Sequence, residues 1–219
     1  MSLSELWSLY GQNYIDALLA TWGMTLESFA IAMVLAVAVT VMRVSPLKPL
    51  RVFGDLYVQV FRNIPGIALL IIVVYALPPL KIVLPYRTCV IVATVLLGSA
   101  FGSENFMSGI NTVGVGQVEA ARSLGMSFSR ILAKIVIPQA LRSSVLPMTN
   151  LFIAVMLTTA LGSQVPLQPQ ELTGVVSYIN TRSLGGVAAF FISALGYLGT
   201  AFVVGHIGNY IDKKVRILR

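Results

Sequence analysis

The sequence predicts an all-α integral membrane protein with five transmembrane helices, and three observations predict it. Of the 219 residues, 57% are hydrophobic and 11% charged, with a mean hydropathy of +0.86. That composition leaves too little polar surface for a soluble domain. The apolar residues fall into stretches near the length of about 20 that a helix needs to cross a bilayer. The net charge of +7 is divided among the short segments between those stretches, which is a topology signal and not a nucleic-acid surface.

The first span is expected over 18–42, with the uncharged run SFAIAMVLAVAVTVM at its heart. No Lys or Arg precedes Arg43, so the basic leader of a cleavable signal peptide is missing and this span is expected to be retained. Residues 43–62 carry Pro46, Pro49 and four basic residues; LRVFGDLYVQVF reads there as an interfacial helix ahead of the next span. The second span is expected over 63–80, opened by Pro65, which a first helical turn tolerates. The third covers 88–107 and holds Glu104, the fourth 141–162 and the fifth 187–211. The segment from Gln164 to Gly186 is too polar to cross, and VVSYI within it is expected as a short helix on the outer surface.

Between the third and fourth spans lies a 25-residue island, GVGQVEAARSLGMSFSRILAKIVIP, residues 114–138. It reads as a short helix over 117–124, a stop at Gly125, and a second helix from Phe128 capped by Ser127. Ala120 and Ala121 leave one side of the first helix flat, with Glu119 and Arg122 three apart beside them. Such a surface suits docking better than catalysis.

Five spans place the termini on opposite sides of the membrane. With the N-terminus outside, the inner segments hold Arg43, Lys48, Arg51, Arg62, Arg122, Arg130, Lys134, Arg142, Lys213, Lys214, Arg216 and Arg219, and the outer ones only Lys81, Arg87 and Arg182. The positive-inside rule selects that orientation, with the C-terminus and the island in the cytoplasm.

Little in the chain suits enzymatic chemistry. GVGQVEAA lacks the lysine and hydroxyl of a phosphate loop. One histidine, His206, and one cysteine, Cys89, supply no zinc set and no disulfide. Cys89 reads as a small buried hydrophobe, and His206 as a packing or interface residue. Glu104 is the sharpest single residue, because an ionisable group in a span marks a transport pathway or a structural partner; both roles are open. Asn105, Thr158 and Thr159 are the other candidates for a pathway, although threonine hydroxyls in a span also bond back to carbonyls one turn earlier.

The spacing Glu119, Ala120, Ala121, three residues, Gly125, nine residues, Ile135, Val136, Ile137, Pro138 resembles the EAA loop of permease subunits of binding-protein-dependent ABC importers; the departure is Ile137 in place of leucine. Together with FRNIP at 61–65 and SGINTV at 108–113, the pattern is most similar to the polar amino-acid group with the MetI-like type I core, and within it to actinobacterial glutamate permeases. In that family the loop docks in a groove of a cytoplasmic ATPase. The resemblance implies that Glu119, Ala120, Ala121, Arg122, Gly125, Ile135, Ile137 and Pro138 form the ATPase coupling surface.

It also implies an ABC ATPase dimer carrying ATP and Mg²⁺, a second permease chain (copy or paralogue) and an extracytoplasmic solute-binding protein. This chain itself would hold no cofactor or metal and would sit in the cell membrane as one permease domain over 1–219. Glutamate or glutamine is the expected solute. Two departures from the family pattern stand out: Met107 where an arginine is usual, and Met156 or Leu157 where a lysine is usual. If that arginine pairs with Glu104 elsewhere, another cation must serve here. A reading of a different class, an ion-coupled carrier or channel using Glu104, leaves the EAA spacing without a purpose.

Overall fold

Every regular element among the described residues, 2–183 and 186–215 of a computed structural model, is helical. Arg216 and Arg219 of the basic tail, and 184–185 of the outer segment, lie outside the described residues. Four elements are long and apolar enough to cross a membrane: α1 (Leu3–Val44), α4 (Tyr86–Asn111), α8 (Val145–Thr158) continued by a 3₁₀ stretch to Gln164, and α10 (Gly186–Val215). A fifth span is reached only when two pieces are counted together. Helix α2 (Lys48–Asn63) and the segment Gly66–Leu80, which begins with α3 (Gly66–Ile71), meet at an angle of 103°.

The expected second span, 63–80, is therefore shorter and less regular than its hydropathy suggests. Pro65 cannot donate a backbone bond and holds the residue before it in extended conformation; Ile64 ends α2 with ψ 127 and Pro65 opens α3. Beyond α3 the chain passes through a π-helical turn, Ile72–Ala76, and a 3₁₀ turn, Pro78–Leu80. It stops at Lys81, whose φ of 63 is left-handed. Helix α2 is the separate amphipathic helix that its sequence suggests. Gly54 and Val58 are buried, while Phe53, Leu56 and Val60 are exposed.

Helix α1 starts 15 residues before the expected 18–42 span, at Leu3. A capping box fixes its start: Ser2 Oγ accepts from Glu5 N and Ser2 N donates to Glu5 Oε2 at 2.8 Å. The extension is held by packing. Leu6, Tyr14 and Ala17 bury against Leu172, Val175 and Ile179 of α9 (Leu172–Arg182) and Ala189 of α10, and Tyr14 Oη donates to the Ala189 carbonyl at 3.0 Å. The short helix expected around VVSYI is thus α9, with its apolar side against protein.

The centre of the fold is the α1–α4 contact, built from small residues. A Cβ on Gly102 would lie 2.8 Å from Ala36 Cβ, and one on Gly98 3.2 Å from Ala32 Cβ. The four-residue repeat of glycine on α4 meets the four-residue repeat of alanine on α1, and the backbones close together as small-residue stripes allow in lipid. One turn on, Thr40 donates to Ser103 across the same seam at 3.1 Å. At the other end of the pair, Arg87 makes a bidentate pair with Glu27, at 2.6 and 2.8 Å.

Candidate functional site

Two features stand apart from packing: a cavity beside α4 and the helical island that follows it. The cavity, of about 1020 Å³, is bounded by the α2–α3 junction, α4 and α8 with its 3₁₀ extension. Its wall is mostly apolar. Asn105 and Thr158, two of the four expected pathway residues, line it; Glu104 and Thr159 do not. Asn105 Nδ2 donates to the Pro147 carbonyl at 3.1 Å and Thr158 Oγ1 to that of Ala154 at 2.8 Å. Thr159 is fully buried and bonds back to Met156 O at 2.7 Å. Of the two positions where the sequence lacks a lysine, Leu157 faces the cavity and Met156 is buried.

Glu104 has the cation it requires, in fact two. Arg43 of α1 reaches its Oε1 at 2.8 Å and Arg62 of α2 the same atom at 3.5 Å. Arg43 also donates to Ser103 Oγ at 3.2 Å and, through Nε, to Asp55 at 2.9 Å. Arg62 lies over the Phe101 ring, 5.3 Å from its centroid, and lines the cavity. Sequence reasoning missed both arginines. Arg43 stands 61 residues from Glu104 and reads only as an inner-loop charge. Arg62 sits in FRNIP, whose position just before the Pro65 break was the one available signal.

The island folds as α5 (Val115–Ser123), α6 (Phe128–Ile131), a π-helical turn (Leu132–Val136) and α7 (Ile137–Ser143). Its first helix closes at the expected glycine. Gly125 has φ +75, its N–H reaches Arg122 O at 2.9 Å, and Met126 N reaches Ala121 O at 3.1 Å. That pair of bonds is the Schellman stop, which needs a left-handed residue. Ser127 stands at the start of α6, but its side chain makes no capping bond, so the second helix relies on packing.

Ala121, Ile131, Val136 and Val113 form a small core. Ala121 is buried in it, while Glu119, Ala120, Arg122, Gly125, Ile137 and Pro138 are exposed and Ile135 is half-buried. Leu124, at 82% exposure, presents an apolar side chain beside the stop. Pro138 follows the π-helical turn with no break in the helical path, Val136 and Ile137 both being right-handed helical, so its missing N–H falls inside the helix, next to the wider turn. The α7–α4 contact is close: a Cβ on Gly109 would meet the Ala140 carbonyl oxygen at 2.6 Å. The helix that ends the island thus packs directly on α4.

Elsewhere, Cys89 is buried, and His206 is exposed, its Nδ1 2.9 Å from the Phe202 carbonyl and its ring beside that of Phe202. Neither faces the cavity.

Residues 28–217 match the family described as the binding-protein-dependent transport system inner membrane component. The chain belongs to this family. Among its relatives is the glutamate transport system permease protein GluC of Corynebacterium efficiens, 33% identical over 208 residues that cover 90% of this chain and 91% of that one. The L-cystine transport system permease protein TcyB of Bacillus subtilis is 30% identical over 215 residues, covering 95% and 91%. The probable glutamine ABC transporter permease protein GlnM, also of Bacillus subtilis, is 30% identical over 214 residues, covering 97% and 96%.

The fold is shared with a crystal structure of an amino acid ABC transporter with histidines, at a TM-score of 0.91 and 23% identity over 98% of this chain and 99% of that one. It is shared more loosely with an inward-facing MetNI methionine ABC transporter, at a TM-score of 0.74 and 19% identity over 99% and 100%. As a member of this inner membrane family, the chain is a multi-pass transport component rather than an enzyme.

Proposed function

We propose that this chain is the permease subunit of an ATP-driven importer of polar amino acids, glutamate or glutamine above all. The observation that carries the reading is α5, a short helix closed by Gly125 and backed by its own small core, which presents Glu119 and the flat Ala120 outward. The relatives named for glutamate and glutamine transport support the solute class.

On this reading the N-terminus lies outside and the island inside. ATP and Mg²⁺ are held by a partner ATPase dimer, whose closure pulls on α5. The contact of α7 with α4 hands that movement to the cavity wall, and the bilayer-spanning helices tilt between inward-open and outward-open states. A second permease chain completes the pathway, since this cavity is open on one side of a single protomer. An extracytoplasmic solute-binding protein delivers the amino acid. The carrier or channel reading loses ground because Glu104 is already engaged by two guanidinium groups.

The test is ATPase activity of the complex in lipid nanodiscs, with and without the solute-binding protein and candidate amino acids, for wild type and Gly125→Asp. Stimulation in the wild type that disappears in the variant supports the reading. A complex from which no ATPase co-purifies, or a variant that transports normally, would overturn it.

A further inference from the structure

We propose that Arg62 binds the carboxylate of the transported amino acid, so that this pathway takes zwitterionic or acidic solutes; the inference rests on the reading of the chain as an amino-acid permease. Among the described residues of the cavity wall, Arg62 alone carries a formal charge. No carboxylate shares that wall with it. The surrounding surface is apolar, with carboxamides at Asn105, Asn150 and Gln164 and hydroxyls at Thr94 and Thr158. A cation in such a setting attracts an anion more strongly than one in water.

Arg62 is also the under-committed member of its ion cluster. Glu104 Oε1 is held by Arg43 at 2.8 Å and by Arg62 at only 3.5 Å, beyond the usual 2.7–2.9 Å of a charge-assisted bond. The guanidinium has five N–H donors in a planar fork that matches a carboxylate, and the Phe101 ring supports its face. Glu104 thus acts as a positioning residue, which keeps Arg62 at the wall without consuming its donors.

The experiment uses the complete complex in proteoliposomes with its solute-binding protein, with uptake of radiolabelled L-glutamate, L-glutamine and L-arginine measured for wild type, Arg62→Gln, Arg62→Lys and Glu104→Gln. Assembly is checked by co-purification of the ATPase. The expected result is import of glutamate or glutamine, with uptake by Arg62→Gln reduced about tenfold or more and by Glu104→Gln distinctly less. Arg62→Lys keeps the charge and loses the fork, so its KM should rise while kcat changes less.

Preferred import of L-arginine overturns the proposal. So does uptake by Arg62→Gln within about twofold of wild type, or a defect of equal size in Glu104→Gln, since the arginine would then serve only its ion pair. If Arg62→Gln does not assemble, an unchanged KM in Arg62→Lys overturns it alone. A wild-type complex that imports no amino acid at all, L-cystine included, sinks the importer reading itself, a separate result.

Discussion

Arg43, in the last turn of α1, donates to Glu104 of α4 at 2.8 Å while its Nε reaches Asp55 of α2 at 2.9 Å. One guanidinium thus ties three helices together at the end of the bundle nearest the island. Arg43 is 12% exposed and Glu104 32%, whereas Asp55 is 59% exposed. Partly desolvated pairs cost more to break than solvated ones. Arg43→Met is expected to lose about 1–3 kcal/mol, and Asp55→Asn less than about 1 kcal/mol. Thermal unfolding in detergent checks this; equal losses would show that the α1–α4 arm carries no special weight.

The α1–α4 seam allows a compensation test. Gly102→Ala places a methyl group 2.8 Å from Ala36 Cβ, and Gly98→Ala one at 3.2 Å from Ala32 Cβ. Overpacking of a closed seam costs about 1–3 kcal/mol, so Gly102→Ala should destabilise more than Gly98→Ala. Ala36→Gly combined with Gly102→Ala should recover most of the loss, because the offending atom is removed from the other side. A double variant no better than the single one would refute the steric account.

In the island, Ala120 and Ala121 are neighbours in sequence and opposites in structure: the first is exposed and the second is buried in the small core with Ile131 and Val136. Ala121→Leu should lower thermal stability by overfilling that core. Ala120→Arg should leave the melting temperature unchanged and abolish co-purification of the ATPase. Loss of stability in both variants would argue that α5 is a structural connector.

The contrast between what could be read in advance and what could not has a physical basis. Hydropathy locates the spans centred on α1, α4 and α10 because each is a continuous apolar helix, and the spacing to Gly125 identifies the α5 stop because only a left-handed residue closes it. Hydropathy is blind to direction. The separate α2 and the start of the next segment at Pro65 are legible, but not the 103° angle between them or the π-helical and 3₁₀ turns that end the second segment at Leu80. Hydropathy also cannot see that Leu6 and Tyr14 have partners on α9 and α10, which extends α1 to Leu3. The cation for Glu104 was required by the low dielectric of a span, but its identity depended on the fold bringing residue 43 beside residue 104.

Glu171 supplies a pH prediction outside the spans. Its carboxylate caps α9, accepting from Thr173 N and Gly174 N at 2.6 Å each and from Tyr197 Oη at 2.9 Å, and the residue is fully buried. Burial pushes its pKa above the ordinary carboxylate value, and the hydrogen bonds, which favour the charged form, offset that only in part. The folded chain therefore binds this proton more tightly than the unfolded chain does. Stability from this group is complete below the ordinary pKa of about 4.3 and is lost as pH rises through the raised value. Glu171→Gln cannot ionise and keeps a carbonyl oxygen for the cap, so it should lack that decline. The melting temperature of wild type minus that of Glu171→Gln should fall as pH rises above the ordinary value of about 4.3. A difference that stays constant or grows as pH rises would mean that the hydrogen bonds outweigh burial and that the carboxylate is charged in the folded chain.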